Sequence, residues 1–109
     1  FQHELIIYAT KNNPKFIGDN SQSDVWEVEV DRTTKHKTPK PVALPFKAIT
    51  NTIEPNKICT DLFLGSGSTL IACEKSARKC YGMEIDPKYC DVIVQRWEEF
   101  TGKKAKLDV

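Results

Sequence analysis

Two glycines and a few strand-end acids carry the chemistry this chain could do. Asp61 closes the apolar run Cys59-Thr60-Asp61-Leu62-Phe63, and the turn Leu64-Gly65-Ser66-Gly67-Ser68-Thr69 follows it. Glu84 and Asp86 close a second run, Cys80-Tyr81-Gly82-Met83-Glu84-Ile85-Asp86. Glycine lets the backbone bend sharply and lets a ligand approach with no Cβ in the way. A helix opening at about Ser68 would add unpaired N–H groups and the positive end of its dipole. Together these make a cradle for a polar or anionic group at the carboxyl end of a strand. An acid about twenty residues farther on stands where nucleotide-binding α/β folds hold ribose hydroxyls. The two features point to a nucleoside-bearing cofactor.

The best-known phosphate cradles match poorly. The dinucleotide fingerprint needs a third glycine where Leu70 stands, and a P-loop needs Gly-Lys-Ser/Thr, whereas the first lysine after the turn is Lys75. A carboxylate at Asp61 would repel a phosphate. It suits an ammonium group instead.

The elements that must position these residues can be read from the pattern. Residues 57–62 form a buried strand, 68–77 a helix carrying Leu70, Ile71, Ala72 and Cys73, and 79–85 a second strand. Asp86-Pro87 is an N-cap followed by proline at the first helical position, which accounts for Asp86 without any ligand. The helix behind it runs to about Phe100, with Tyr89, Ile93, Trp97 and Phe100 on one core-facing stripe, and Gly102 stops it. Upstream, 41–53 can be helical because Pro45 falls in the first turn, and Glu54-Pro55-Asn56 turns into the first strand. Strand, helix, strand implies a parallel pair with a right-handed crossover. Two parallel strands cannot cover their own faces, so further sheet is expected from residues 1–30, where 4–9 and 24–30 read as strands and 10–23 as loop. The fold class is α/β, part of a doubly wound domain.

At 109 residues and a net charge of +1, the chain fits one small domain or part of a larger one. Its basic residues cluster in the loop Arg32, Lys35, Lys37, Lys40 and in the tail Lys103, Lys104, Lys106. Cys59, Cys73, Cys80 and Cys90 form no CxxC pair, and His3 and His36 lie far from them, so core thiols in a reducing compartment are expected and no metal site. Within these 109 residues neither a signal-peptide pattern nor a long apolar run is read, and a membrane partner is not expected. The chain begins with Phe1, and further residues are expected upstream.

Asp61-Leu62-Phe63-Leu64-Gly65-Ser66-Gly67-Ser68-Thr69, followed by Gly82-Met83-Glu84-Ile85-Asp86-Pro87-Lys88-Tyr89-Cys90, closely resembles the S-adenosylmethionine site of DNA amino-methyltransferases, which methylate adenine N6 or cytosine N4. The usual first motif is Asp-Pro-Phe-x-Gly-Ser-Gly-Thr-Thr, so Leu62 and Ser68 depart from it mildly. His36-Lys37-Thr38-Pro39-Lys40-Pro41 resembles the family's His-Pro-Thr-x-Lys-Pro, and the tail Trp97 to Ala105 resembles the family's ending. In the permuted β group these segments come in the order seen here, with the catalytic Asp/Ser-Pro-Pro-Tyr/Trp tetrapeptide upstream of both. That tetrapeptide is absent; Asn12-Asn13-Pro14-Lys15 is the nearest string.

The resemblance implies a Rossmann-like S-adenosylmethionine-dependent methyltransferase fold, of which residues 35–109 are the cofactor-binding region and 1–34 the end of the upstream catalytic and target-recognition region. It implies that Asp61 meets the ammonium of the methionine moiety, with Phe63 beside the cofactor. Gly65 and Gly67 permit close approach, and Ser66, Ser68 and Thr69 offer polar groups near the methionine carboxylate. Glu84 accepts from the ribose hydroxyls, Ile85 lies against the adenine, and Thr38, Lys40 and Pro41 close the methionine end. It further implies double-stranded DNA as the partner of the full-length enzyme, adenine N6 before cytosine N4, a restriction-modification or phage system, a cytoplasmic, bacterial or phage-encoded protein, and a possible homodimer. Without the tetrapeptide, this chain alone is expected to bind cofactor and not to transfer methyl groups. Two other readings stay open: a non-catalytic remnant, and a nicotinamide- or flavin-binding Rossmann fragment.

Overall fold

The computed structural model describes residues 4–29 and 41–108. Within them the element order is α1 (Ala43–Thr52), β1 (Ile58–Asp61), α2 (Ser68–Lys75), β2 (Lys79–Gly82) and α3 (Pro87–Thr101). β1 and β2 pair in parallel, Ile58 opposite Lys79 and Asp61 opposite Gly82, with α2 as the crossover. This is the expected α/β order, with shorter strands and a shorter α2.

Each boundary has a local cause. Pro45 sits in the first turn of α1, where no intrahelical N–H bond is lost. Ala77 closes the α2–β2 turn at φ 59°, and Arg78 ties that turn to the end of α1 by donating from Nη2 to the Ile53 carbonyl at 2.6 Å. Asp86 caps α3 by accepting from the Lys88 N–H at 2.9 Å, Pro87 opens it, and Gly102 at φ 72° ends it.

The core lies between α1, α2 and one face of the sheet. Ile49, Ala72 and Cys73 are buried, with Phe46, Ile53, Cys59 and Cys80 packed against them. Strand alternation then sends Ile58 and Tyr81 to the opposite face, where both are exposed.

Several expectations are overturned. The strand expected to be buried at 57–62 is covered on one face only, because the sheet carries no layer over Ile58 and Leu62 among the described residues. Residues 4–9 and 24–29 contribute no strand, and the sheet among the described residues has two strands. The run at 4–9 has β-forming side chains but no paired edge, and Leu5 and Ile7 are exposed; propensity without a partner strand makes no ladder. At 24–29 the expected alternation survives as burial alone, Trp26 and Val28 being half-buried. Trp26 lies under the ammonium of Lys47 on α1, 4.9 Å from the ring centre. Tyr89 and Phe100, expected in the core stripe of α3, are both exposed; Ile93 is the buried residue of that helix.

Residues 17–22 are fastened to the end of α1 by a different device. The N–H groups of Ile17 and Gly18 donate to the Asn51 carbonyl, at 2.9 and 3.3 Å. The Asn51 and Gln22 side-chain amides exchange hydrogen bonds at 2.7 and 3.0 Å.

Candidate functional site

The pairing of β1 and β2 continues past their formal ends. The Met83 N–H donates to the Asp61 carbonyl at 2.9 Å, and the Leu64 N–H donates to the Met83 carbonyl at 2.8 Å. This extension brings the turn after β1 beside the acid after β2. The Gly65 N–H donates to Oε1 of Glu84 at 2.9 Å, and the Asp86 N–H donates to Oε2 at 3.0 Å. Glu84 is half-buried, held by one backbone donor on each oxygen, and its remaining lone pairs can accept from a ligand.

Asp61 ends β1 half-buried, its Oδ1 accepting from the Phe63 N–H at 2.9 Å. Oδ2 has no partner among the described residues. A carboxylate with one oxygen tied down and one open is suited to a cationic donor.

Both turn glycines are in the left-handed region, Gly65 at φ 60° and Gly67 at φ 93°. They differ in surroundings. A Cβ on Gly65 would meet open space, whereas one on Gly67 would come 3.3 Å from Cγ1 of Ile93. Gly65 therefore leaves room for something that is not protein, and Gly67 lets α3 approach the turn.

The serines divide in the same way. Ser66 and Thr69 are half-buried, while Ser68 is buried at the first position of α2. The hydroxyl of Ser68 accepts from Nη1 of Arg96 at 3.2 Å. Arg96 also donates to the Ser66 carbonyl at 3.1 Å and to the Ser66 hydroxyl at 3.4 Å. Its guanidinium is half-buried, and burial pushes its pKa below the ordinary guanidinium range. Arg96 was not among the residues singled out from the sequence. Its spacing of three from Ile93 puts the two on one face of α3, which could have marked it.

Phe63 and Ile85 are 88% and 97% exposed, an apolar residue beyond each strand end with nothing covering it. Pro41 is half-buried just before α1, its carbonyl accepting from the Leu44 N–H at 3.1 Å. Thr38, Lys40 and the rest of the segment Arg32 to Lys40 lie outside the described residues. The structure thus gathers Asp61, Gly65, Glu84 and the turn 66–69 at the carboxyl edge of the sheet. The arrangement offers an open carboxylate oxygen, a fixed carboxylate, a glycine-lined opening and two exposed apolar side chains. A ligand with an ammonium, vicinal hydroxyls and an apolar ring would use all four.

Comparison with known proteins agrees with this chemistry. A family model described as DNA methylase matches residues 4–95. The type II methyltransferase M2.MboI of Moraxella bovis is 28% identical over 93% of this chain and 43% of its own length. The type II methyltransferase M.HinfI of Haemophilus influenzae is 36% identical over 59% of this chain and 18% of its own length. The chain therefore spans less than half the length of these curated relatives. Among solved structures, the M1.HpyAVI–SAM complex superposes with a TM-score of 0.64 at 31% identity, covering 74% of this chain and 42% of the other.

Proposed function

The chain belongs to the DNA methylase family, and on that premise we propose that it is the S-adenosylmethionine-binding, carboxyl-terminal part of a DNA methyltransferase acting on an exocyclic amine. The observation that carries this reading is the tie between Gly65 and Glu84, which holds a carboxylate beside an open glycine turn at the strand ends.

The residues present fit that cofactor in kind. Oδ2 of Asp61 is available to its ammonium, and Glu84 can accept from vicinal hydroxyls while keeping its two backbone donors. Exposed Phe63 and Ile85 would be covered by its adenosyl part. Ser66, Thr69 and the turn backbone, with Thr38, Lys40 and Pro41 from the preceding segment, would surround its methionine end. When bound, S-adenosylmethionine supplies an electrophilic methyl group on a sulfonium. This chain's own residues bind and orient: Asp61 and Glu84 fix two ends of the ligand, and the glycines keep Cβ atoms out of its path.

Methylating a base amine also requires the base out of the duplex and held at the reacting centre. In the family that task belongs to the Asp-Pro-Pro-Tyr-type tetrapeptide, which this sequence lacks. The chain by itself therefore binds cofactor and does not turn over. Residues 35–109 form the cofactor-binding region, and 1–34 close the upstream catalytic and target-recognition region. In the full-length enzyme the partner is double-stranded DNA, the target adenine N6 in preference to cytosine N4, and the assembly a homodimer. The setting we propose is a bacterial or phage restriction-modification system in the cytoplasm, a reading that the bacterial type II relatives support. A thermal-shift panel of S-adenosylmethionine, NAD and FAD tests the cofactor. Stabilisation by the first alone supports the reading, and stabilisation by a dinucleotide alone overturns it. Incorporation of tritiated methyl into unmethylated DNA by this chain would overturn the non-catalytic part.

A further inference from the structure

Arg96 lies on α3, far along the chain from the glycine turn, yet every hydrogen bond it makes among the described residues goes there. Nη1 donates to the Ser66 carbonyl at 3.1 Å, to the Ser68 hydroxyl at 3.2 Å and to the Ser66 hydroxyl at 3.4 Å. Among the described residues it has no carboxylate partner. A half-buried cation facing neutral oxygens carries a desolvation cost that an apolar side chain of similar length would not. Its position beside the first residue of α2 also opposes that helix's dipole. Packing alone would be better served by methionine. What the guanidinium adds is one nitrogen, Nη1, whose two N–H groups are shared among a carbonyl and two hydroxyls of one short turn.

Glycine reaches the left-handed region without strain but is also the residue most free to leave it, so this turn gains definition from what packs on it. Gly65 and Gly67 are both left-handed, and the internal bond from the Gly67 N–H to the Leu64 carbonyl is 3.0 Å. α3 supports it twice: Ile93 packs against Gly67, and Arg96 grips Ser66 and Ser68. We infer that Arg96 is a positioning residue of the site, locking the turn 65–68 so that the Gly65 N–H stays on the Glu84 carboxylate and the opening at Gly65 is kept ready for its ligand. The positioning stands on the geometry. That it serves S-adenosylmethionine rests on the function proposed above.

The experiment compares the 109-residue chain with Arg96→Met and Arg96→Lys. Amide hydrogen exchange is read residue by residue by NMR without ligand, and S-adenosylmethionine is then titrated into each protein. Arg96→Met speeds exchange at Gly65 and Gly67 by about tenfold or more, while the sheet amides of Lys79 and Met83 keep wild-type rates. Arg96→Lys, which keeps the charge and part of the donor set, restores exchange and affinity to within about threefold of wild type, against about tenfold weaker affinity for Arg96→Met. Should Arg96→Met not fold, Ser68→Ala removes one acceptor with Arg96 in place and raises exchange at Gly67 by about threefold. Unchanged exchange at Gly65 and Gly67, or a rise shared equally by Lys79 and Met83, overturns the inference. Loosening of the turn in Arg96→Met when wild type takes up no S-adenosylmethionine leaves the positioning standing and overturns the cofactor reading alone.

Discussion

The backbone N–H of Gly65 donates to Oε1 of Glu84 across 2.9 Å, tying the acid that follows β2 to the turn that follows β1. The second oxygen of the same carboxylate accepts from the Asp86 N–H, which fastens it to the start of α3 as well. Glu84 is therefore held in place by its own chain before any ligand arrives. Prior ordering of this kind lowers the entropy lost on binding.

The acids at 84 and 86 consequently separate by experiment. Glu84→Ala removes a charged acceptor from two backbone donors and lowers stability by about 1.5–3 kcal/mol, with loss of S-adenosylmethionine binding. Asp86→Ala removes the α3 cap and lowers stability by about 1 kcal/mol, with affinity within about twofold of wild type. Urea denaturation and calorimetric titration of both variants check the split.

The two turn glycines answer differently to the same change. Gly65→Ala places a methyl in open space and costs about 1–2 kcal/mol for its left-handed backbone. Gly67→Ala adds to that a contact tighter than packing normally allows against Ile93, and denaturation of the pair shows Gly67→Ala the less stable.

Much of this site was legible because its signals are local. The glycine spacing, the strand-end acids and Asp86-Pro87 each specify a backbone event within a few residues, and each event is found. What stayed hidden depends on partners far along the chain. Residues 4–9 look like a strand by composition, but no edge pairs with them among the described residues. Asn51 appears in the sequence as an ordinary polar helix residue, and only the fold brings Gln22 and Gly18 to it. Arg96 shares a face of α3 with Ile93 in the sequence, but only the fold lays that face against the glycine turn. Tyr89 fell on the expected apolar stripe, yet the close approach of α3 is made at Ile93, beside Gly67.

Asn51 gives a prediction for the upstream segment. Its buried side chain pairs with Gln22, and a Cβ on Gly18 would collide with that side-chain amide. Gly18→Ala and Asn51→Ala should both release residues 17–22, making them sites of early proteolysis, while helical circular dichroism from 43–101 is retained. Resistance equal to wild type would contradict the role assigned to the amide pair.

Alkaline pH should destabilise the fold through its core thiols. Burial, reinforced by the charges of Cys59 and Cys80, pushes the Cys73 thiol well above its ordinary value of 9.0. Burial raises Cys59 and Cys80 as well. A thiol held protonated in the fold lends full stability below its unfolded pKa and loses it as pH climbs toward the folded value. The urea midpoint should fall from about pH 9 upward, and less steeply in Cys73→Ala, which is the less stable protein at neutral pH.

The most direct test is calorimetric titration of the purified chain with S-adenosylmethionine, beside an Asp61→Ala, Glu84→Ala double variant shown to be folded. Saturable one-to-one binding by wild type and none by the variant is the predicted result. A folded wild-type chain that gives no heat, or a double variant that binds as tightly as wild type, would contradict the assignment of this strand-end site to the cofactor.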